Sequence, residues 1–441
     1  MTRVLVLATT TGYQTRAFGD AAERLGVELA FATDRCHLIE DPWQDGAVPI
    51  RFHDEDASTA AILDAAARRP LDGLVVVGDR PTVIAARVGE ALGLPWHPPA
   101  AAAIARNKQY TRERLRDAGL PVPWFTTASI DGRIPTDESR IPNPESRYPC
   151  VVKPIALSGS RGVMRANDER ALVHAFNRLR ALLQSPEVRA ERSAAHDIVL
   201  VEEFIPGREF AVEGLMHDGT LHVLAIFDKP DPLDGPFFEE TIYLTPSAAS
   251  EAEQHAIRDA IAAAVRAIGL RHGPIHAECR LNAHGVFVLE VAARPIGGLC
   301  ARALGFEFSE DSRHKALDPR RRSLEELLLR HATGTLPASW TRERTASGVM
   351  MIPIPRRGIY RGVEGIDAAR AVPYVEDVRI TAKFDQLLLP LPEGASYLGF
   401  VFARAARAAD VDAALRASHA QLRFAIDPEF PVLGAKQINY N

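Results

Sequence analysis

Apolar residues in this chain follow two periods, one of strands and one of helices, and the order in which they alternate divides it into regions. Arg3-Val-Leu-Val-Leu-Ala8 is an unbroken apolar run of strand length, followed by a turn over residues 9–12. Residues 16–25 carry apolar side chains at helical spacing and stop at Gly26. The same alternation continues with a strand at 27–31, a helix at 57–69, a strand at 71–77 closed by Gly78 and Asp79, and a helix at 81–92. Strands separated by helices of this length imply βαβ units and a parallel, Rossmann-like sheet. The first turn lacks G-x-G-x-x-G, which disfavours a dinucleotide site and an NAD-dependent enzyme. The proline-rich residues 95–99 mark a boundary.

Beyond it the spacing predicts a helix over 107–118, extended chain over 120–124 and a surface loop over 131–148, where proline, serine and charge crowd together. A strand at 150–154 runs into the loop Ser158-Gly-Ser-Arg-Gly162, and a helix follows at 168–183. Residues 189–197 are polar and read as mobile. Strands then dominate at 198–203, 210–216 and 222–229, followed by a helix at 251–268. Past residue 336 the pattern reads as a tail of short strands with one last helix at 411–424.

The most telling segment is 274–294, two alternating strands joined through Gly285. A three-residue loop at 283–285 pairs Asn282 with Val286, and counting from there sets Glu278 opposite Glu290 and His276 opposite Ala292. Two carboxylates facing each other repel, and a cation between them relieves the repulsion. Hard oxygen donors suit Mg²⁺, with Mn²⁺ as the substitute ion. Arg294 continues the alternation of Glu290. The alternative is a solvent-facing strand with two scattered glutamates.

Composition narrows the field. At 441 residues the chain exceeds one core, so two or three domains are expected. A content of 46% apolar and 25% charged residues is ordinary globular composition, and a net charge of −5 argues against nucleic-acid binding. The four cysteines (Cys36, Cys150, Cys279, Cys300) have no metal-finger spacing and read as free thiols of a cytoplasmic protein. No apolar run reaches membrane length.

Two further segments carry candidate chemistry. Lys153 ends a strand just before the 158–162 loop, where Gly159 and Gly162 let backbone N–H groups approach a phosphate and the lysine adds a point charge. A plain surface turn is the competing reading. In Glu202-Glu-Phe-Ile-Pro-Gly-Arg-Glu209, backbone at Glu203, Phe204 and Ile205 can meet an adenine edge and Glu209 can accept from ribose hydroxyls; an ordinary strand end with exposed acids fits equally.

Taken in order, Lys108, Lys153 with its Ser/Gly loop, Glu202 to Ile205 with Glu209, then Glu278, Glu290 and Arg294 resemble the ATP-grasp superfamily of ligases. Glu290-Val-Ala-Ala-Arg294 with His276-Ala-Glu278 is similar to the L-amino-acid ligases, the dipeptide synthetases of that superfamily. The resemblance implies an α/β architecture: a Rossmann-like domain over 1–106, then an ATP-grasp fold with two α+β subdomains, the small one over 107–200 and the large over 201–335, with 336–441 completing the large domain. It implies that Lys108 and Lys153 contact ATP phosphates, that Ser158, Gly159, Ser160, Arg161 and Gly162 cover the γ-phosphate, that Glu202 belongs to the nucleotide segment, that Glu203, Phe204 and Ile205 form the adenine hinge, and that Glu209 binds ribose. Glu278 and Glu290 are the implied Mg²⁺ ligands, and Arg294 steadies the transferred phosphate. Many relatives have asparagine where this chain has Ala292, which leaves the number of ions open.

The implied reaction is ATP-dependent joining of a small-molecule carboxylate to an amine through an acyl phosphate. His276 contacts the amine or accepts its proton, or is a structural histidine bonded to a carboxylate. Lys229, Glu240 and Gly297-Gly298 lie where the substrate pocket is expected, with exposed charges and a simple turn as the alternatives, and the scarcity of aromatics points to small amino acids or short peptides. The rivals are a carboxylate–thiol ligase or carboxylase on the same fold and a non-catalytic nucleotide-binding module. No nucleic-acid or membrane partner is expected, and a homodimer is the open option for assembly.

Overall fold

The computed structural model describes residues 1–9, 13–34, 47–132, 147–309 and 321–429. Its centre is an antiparallel sheet of eight strands, in the order Gly285–Ala292, Gly273–Asn282, Arg208–His217, Thr220–Asp228, Ile242–Thr245, Ala346–Ile352, Gly399–Ala405 and Val375–Ile380. The alternation in these strands separates two environments. Phe210, Val212, Ala277 and Cys279 point to one face, against the helix Glu251–Ile268, which buries Ile257, Ile261, Ala264, Val265 and Ile268. That helix is fixed at its start by a capping box between Ser250 and Glu253 and ends at Gly269.

On the other face Leu215, Phe227, Tyr243, Val349, Met351 and Phe400 share a core with Phe18, Phe31, Val75 and Leu327 to Leu329. Phe18 comes from the helix Tyr13–Leu25, Phe31 and Val75 from the parallel sheet Ala47–Pro49, Glu28–Thr33, Arg3–Ala8, Gly73–Val77, and the leucines from the helix Leu324–Ala332. A second antiparallel sheet, Phe125–Ser129, Ile198–Glu203, Cys150–Pro154, Met164–Ala166, has its own core under the helix Glu169–Leu183, built on Phe176, Leu179 and Leu183. Two small antiparallel sheets, Phe306–Ser309 with Ser339–Arg342 and Leu387–Leu388 with Gly358–Glu364 and Arg423–Asp427, complete the described residues, so the architecture is mixed α/β with an N-terminal parallel sheet and four antiparallel ones.

Several sequence expectations need correction. Residues past 336 are not a tail: Ala346–Ile352 and Gly399–Ala405 are interior strands of the central sheet. The last helix is Ala408–His419, and the rest of that periodic stretch forms the strand Arg423–Asp427, because the alternation there was short enough to fit either period. Residues 189–197 are ordered by helical turns, Pro186–Arg189 and Ala194–Asp197, with His196 buried against Glu191 at 3.1 Å. The prolines at 95–99 lead into the helix Pro99–Arg106, with Pro99 in its first turn, where a missing N–H costs nothing. Most of the expected loop at 131–148, the turn at 10–12 and Cys36 lie outside the described residues; Cys150, Cys279 and Cys300 are buried free thiols.

The hairpin register contains two offsetting departures. Asn282 pairs with Gly285, not Val286, so the turn is one residue tighter than counted. One residue, Leu289, then bulges between the Cys279–Val288 and Glu278–Glu290 pairs, and the shift restores Glu278 opposite Glu290 and His276 opposite Ala292.

The parallel sheet meets the rest of the chain closely at Gly73, where a Cβ would stand 2.4 Å from the carbonyl oxygen of Ala332. Gly73→Ala is therefore expected to lower unfolding stability by about 1–3 kcal/mol through overpacking, measured by urea denaturation. A change below about 0.5 kcal/mol, the size of a neutral surface substitution, would show that this seam yields freely.

Candidate active site

Pairing of the strands Arg208–His217 and Gly273–Asn282 sets Glu213 beside His276, Ala211 beside Glu278 and Glu209 beside Arg280. Alternate residues share a sheet face, so five ionisable side chains stand in two adjacent rows facing away from the long helix. The small Ala211 leaves room for Lys229, whose Nζ lies 2.8 Å from Glu209 and 3.1 Å from Glu278 and also bonds Glu240. Tyr243 donates its hydroxyl to Glu240 at 2.9 Å. The oxygens of Glu209, Glu240 and Glu278 cluster within 4.8 Å, but the Lys229 ammonium already occupies their centre.

Burial acts against every one of these charges, and their partners decide the outcome. Burial alone would lower the Lys229 pKa; Glu209, Glu240 and Glu278 hold it well above the usual lysine value. Burial, with Glu278 adding to it, pushes Glu240 up to about 7 despite Lys229. Against burial, Lys229 and His276 keep Glu278 well below the ordinary carboxylate range.

His276 places Nδ1 3.1 Å from Glu213 and Nε2 3.7 Å from Glu278. Although burial opposes it, these carboxylates raise its pKa to about 9. A ring already protonated at neutral pH is a poor proton acceptor, and the geometry favours the structural alternative over the base. Glu213 also accepts from the Ile296 N–H at 3.1 Å, which ties the segment after Arg294 to the sheet.

At the other end of the cavity, Asn107 caps the helix Lys108–Asp117, accepting from Gln109 and Tyr110 N–H groups, and this fixes Lys108 at the helix start. Lys108 Nζ donates to the Leu157 carbonyl at 2.9 Å and pairs with Glu290 at 3.1 Å. Lys153 is buried against Glu202, which also binds Arg112 through contacts of 2.8 and 3.2 Å. Despite burial, Arg112 and Lys153 draw Glu202 down to about 2. Burial dominates Lys153 and brings its ammonium down to about 8, with Arg112 acting in the same direction and Glu202 against it.

The 158–162 loop lies over this end. Gly159, Ser160 and Gly162 all have positive φ, uncommon for a serine. The Gly162 N–H donates to the Pro392 carbonyl at 2.8 Å and Arg161 Nε to that of Glu393 at 2.7 Å. The loop is therefore docked on a segment more than two hundred residues away in sequence.

All sixteen site residues inferred from the sequence line one cavity of about 550 Å³ except Arg161 and Gly162 at the end of the loop. Their surroundings differ from the inference in several respects. The repulsion between Glu278 and Glu290 is relieved by Lys229 and Lys108, so that argument for a cation does not stand by itself. Glu209 is held by Lys229 and Arg280, and Glu202 forms a buried support under Lys153. The N–H groups of Glu203 and Phe204 already donate to the carbonyls of Trp124 and Pro149 at 3.0 Å. Aromatics are not scarce: Phe204, Phe238, Tyr243, Tyr397 and Phe400 all line the cavity.

Asp79, Arg112, Glu213, Tyr243 and Arg280 were missed. Asp79 binds Arg294 through two contacts, 2.8 and 3.2 Å, from the end of a parallel strand. Only Gly78-Asp79 at a strand terminus hinted at it. Arg280 could have been found by extending the alternation already used for Glu278, and Glu213 by carrying the same period forward from Glu209.

Three family models match the chain: an ATP-grasp N-terminal domain over residues 19–96, an ATP-grasp domain over 146–303 and an L-amino acid ligase C-terminal domain 2 over 350–427. The chain is similar to an uncharacterized protein of Sinorhizobium fredii, 25% identical, with 76% of this chain and 64% of that protein aligned. It is also similar to carnosine synthase 1 of Gallus gallus, 30% identical over 61% of this chain and 30% of the synthase. The chain thus spans less than two thirds of the length of these curated relatives. Among solved structures, the L-amino acid ligase from Bacillus licheniformis superposes with a TM-score of 0.78 at 26% identity, covering 97% of this chain and 99% of that one.

Glu202→Gln leaves Arg112 and Lys153 buried without their counter-charge. It is expected to destabilise the protein by about 3–5 kcal/mol, read as a shift in denaturant midpoint with unchanged slope. A loss within 1 kcal/mol, about that of an exposed ion pair, would mean that solvent reaches the pair.

Proposed function

We propose that this chain, which belongs to the ATP-grasp superfamily of ligases, joins a carboxylate to an amine at the expense of ATP, with amino acids as the substrate class. The observation that carries this reading is the meeting of Glu278 and Glu290 on paired strands with Lys108, Lys153 and Arg294 around one cavity under a glycine-bearing loop. The likeness to a solved L-amino acid ligase along nearly its whole length supports it.

In the first step a carboxylate oxygen attacks the γ-phosphorus of ATP, ADP leaves, and an acyl phosphate forms. In the second the amine attacks the acyl carbon, phosphate leaves, and the amide nitrogen gives up its proton. Positioning and charge neutralisation carry such chemistry. Lys153, propped by Glu202, and Lys108 face the phosphates. Arg294, oriented by Asp79 and by its own donation to the Pro295 carbonyl at 3.1 Å, faces the transferred group. Glu278 and Glu290, hard donors reaching the same cavity, fit Mg²⁺, which when bound would add positive charge beside the phosphates.

With the Glu203 and Phe204 N–H groups engaged, adenine is met through the Ile205 N–H and the Glu203 carbonyl, beside the Phe204 ring. Phe204 is itself backed by Arg280, whose guanidinium lies 5.0 Å from the ring centre. At the opposite end Tyr243, Met351, Tyr397 and Phe400 form an apolar wall suited to a hydrophobic amino-acid side chain. A Cβ at Gly298 would come within 3.2 Å of Phe400, so glycine there keeps that end open. Release of phosphate from ATP on adding pairs of amino acids, with mass spectrometry of the amide, tests the reading. Stimulation only by thiols or by bicarbonate would overturn it.

Glu290→Gln keeps the shape and removes the charge that serves both Lys108 and the ion. Turnover should fall by about a hundredfold or more with thermal unfolding little changed, and near-normal turnover would remove the assignment. Amide exchange at Val163 and its neighbours should slow when an ATP analogue and Mg²⁺ are added, as phosphate oxygens join Pro392 and Glu393 in holding the loop. Unaltered protection would contradict a covering role. Nucleotide phosphate near Lys153 favours its ammonium form and raises its pKa above 8. Binding should therefore take up protons around pH 8–9, seen as a buffer-dependent heat, and Lys153→Met should abolish the uptake. A buffer-independent heat in the wild type would count against that contact.

A further inference from the structure

Away from the cavity, three imidazoles converge, with a carboxylate beside them, where the central sheet meets the helix Leu324–Ala332. His217 ends the strand Arg208–His217, Asp218 follows it in a tight turn, His272 precedes the strand Gly273–Asn282, and His331 lies in the last turn of the helix. One ligand atom from each histidine lies within 4.8 Å of the others. His217 Nδ1 is 3.3 Å from His331 Nε2, and His272 Nδ1 is 3.3 Å from Asp218 Oδ1. The His272 and His331 rings stack with centres 4.1 Å apart.

A single N–H···N bond explains one of these contacts. It does not explain why a third imidazole arrives at the same place from a different element. Tetrahedral Zn²⁺ with bonds of about 2.0–2.1 Å needs ligand atoms about 3.3 Å apart, and His217 Nδ1 and His331 Nε2 have that separation. A set of imidazole nitrogens also selects borderline divalent transition ions over Mg²⁺.

We propose that His217, His272 and His331 form a Zn²⁺ site, distinct from the ligase centre, with Asp218 beside it on His272. The carriers are already fixed relative to one another. Gly219 donates its N–H to the Arg271 carbonyl at 2.8 Å, holding the turn beside the residue before His272. His97 bonds the Pro274 carbonyl at 3.0 Å and accepts from the Arg271 N–H at 3.3 Å, bracing the same segment from the N-terminal side. His331 is buried, whereas the side chains of His217 and Asp218 are 44% and 81% exposed, which gives the ion a path from solvent. Bound Zn²⁺ would clamp the strand end, the following strand and the helix whose C-terminus abuts Gly73.

The test uses the full chain stripped with EDTA and dialysed, then titrated with Zn²⁺ against a chromophoric chelator in excess Mg²⁺ to occupy the carboxylate site. One Zn²⁺ per chain is expected, with affinity at least tenfold weaker in His217→Gln and in His272→Gln and unchanged in His255→Gln, an exposed histidine elsewhere. His217 is half-exposed, so its variant retains the fold, checked by circular dichroism. Co²⁺ should give the visible absorption of a tetrahedral site in the wild type and lose it in both variants. Absence of stoichiometric Zn²⁺ binding, or equal binding by wild type and both variants, would overturn the site.

Discussion

Neutralisation of buried charge around the cavity, where the central sheet meets the other elements, is the constraint on which the rest depends. Asp79, Glu202, Glu209, Glu213, Glu240, Glu278 and Glu290 stand against Lys108, Arg112, Lys153, Lys229, Arg280, Arg294 and protonated His276, each acid touching at least one base. Isolated charges at these depths would cost several kcal/mol each. The network is tolerated because each element that brings an acid meets another that brings a base. It is nearly balanced before any nucleotide enters. A triphosphate then brings more negative charge than the side chains hold free, which is the physical case for a divalent ion at Glu278 and Glu290. Repulsion between those two acids is not.

Much of this was legible because period-two alternation is a local property. One hairpin gave His276, Glu278, Glu290 and Arg294, and its register survived a miscounted turn because a bulge at Leu289 offset the error. The helix Glu251–Ile268 and the strand Ile198–Glu203 were legible to the residue, having strong periodicity and clear caps. Pairings across distance were not. Arg294 and Asp79 are separated by 215 positions, and nothing local to either marks the other. The same holds for Arg112 on Glu202 and for the 158–162 loop on Pro392. Short elements such as Ala47–Pro49 and Ile242–Thr245 were lost for the opposite reason, having too few residues to establish a period.

The parallel N-terminal sheet carries no dinucleotide fingerprint, yet it reaches the site directly. Its strand Gly73–Val77 ends at Gly78 and delivers Asp79 to Arg294. An arginine free to swing would solvate itself in the cavity. Held by two contacts to Asp79 and one to the Pro295 carbonyl, its remaining donor capacity is directed, and rotamer entropy is lost at folding instead of at binding. The domain therefore contributes orientation, and its rigidity matters to the site more than its ability to bind a ligand of its own.

Lys108 and Lys153 show why two lysines in one cavity need not act alike. Lys153 rests on a buried carboxylate that is shared with Arg112, so a phosphate can approach without separating any pair; the ammonium gains a second partner and keeps its first. Lys108 is bound to Glu290, one of the two acids facing the cavity, and must exchange that contact for phosphate if Glu290 is to hold an ion. The exchange trades one opposite charge for another at similar depth, so its net cost is small. It does couple the two ligands: an ion that draws Glu290 away frees Lys108 for phosphate, and phosphate that draws Lys108 away frees Glu290 for the ion. On the proposed roles each would favour the other by linkage, and the lysine that begins the helix Lys108–Asp117 would couple nucleotide to metal.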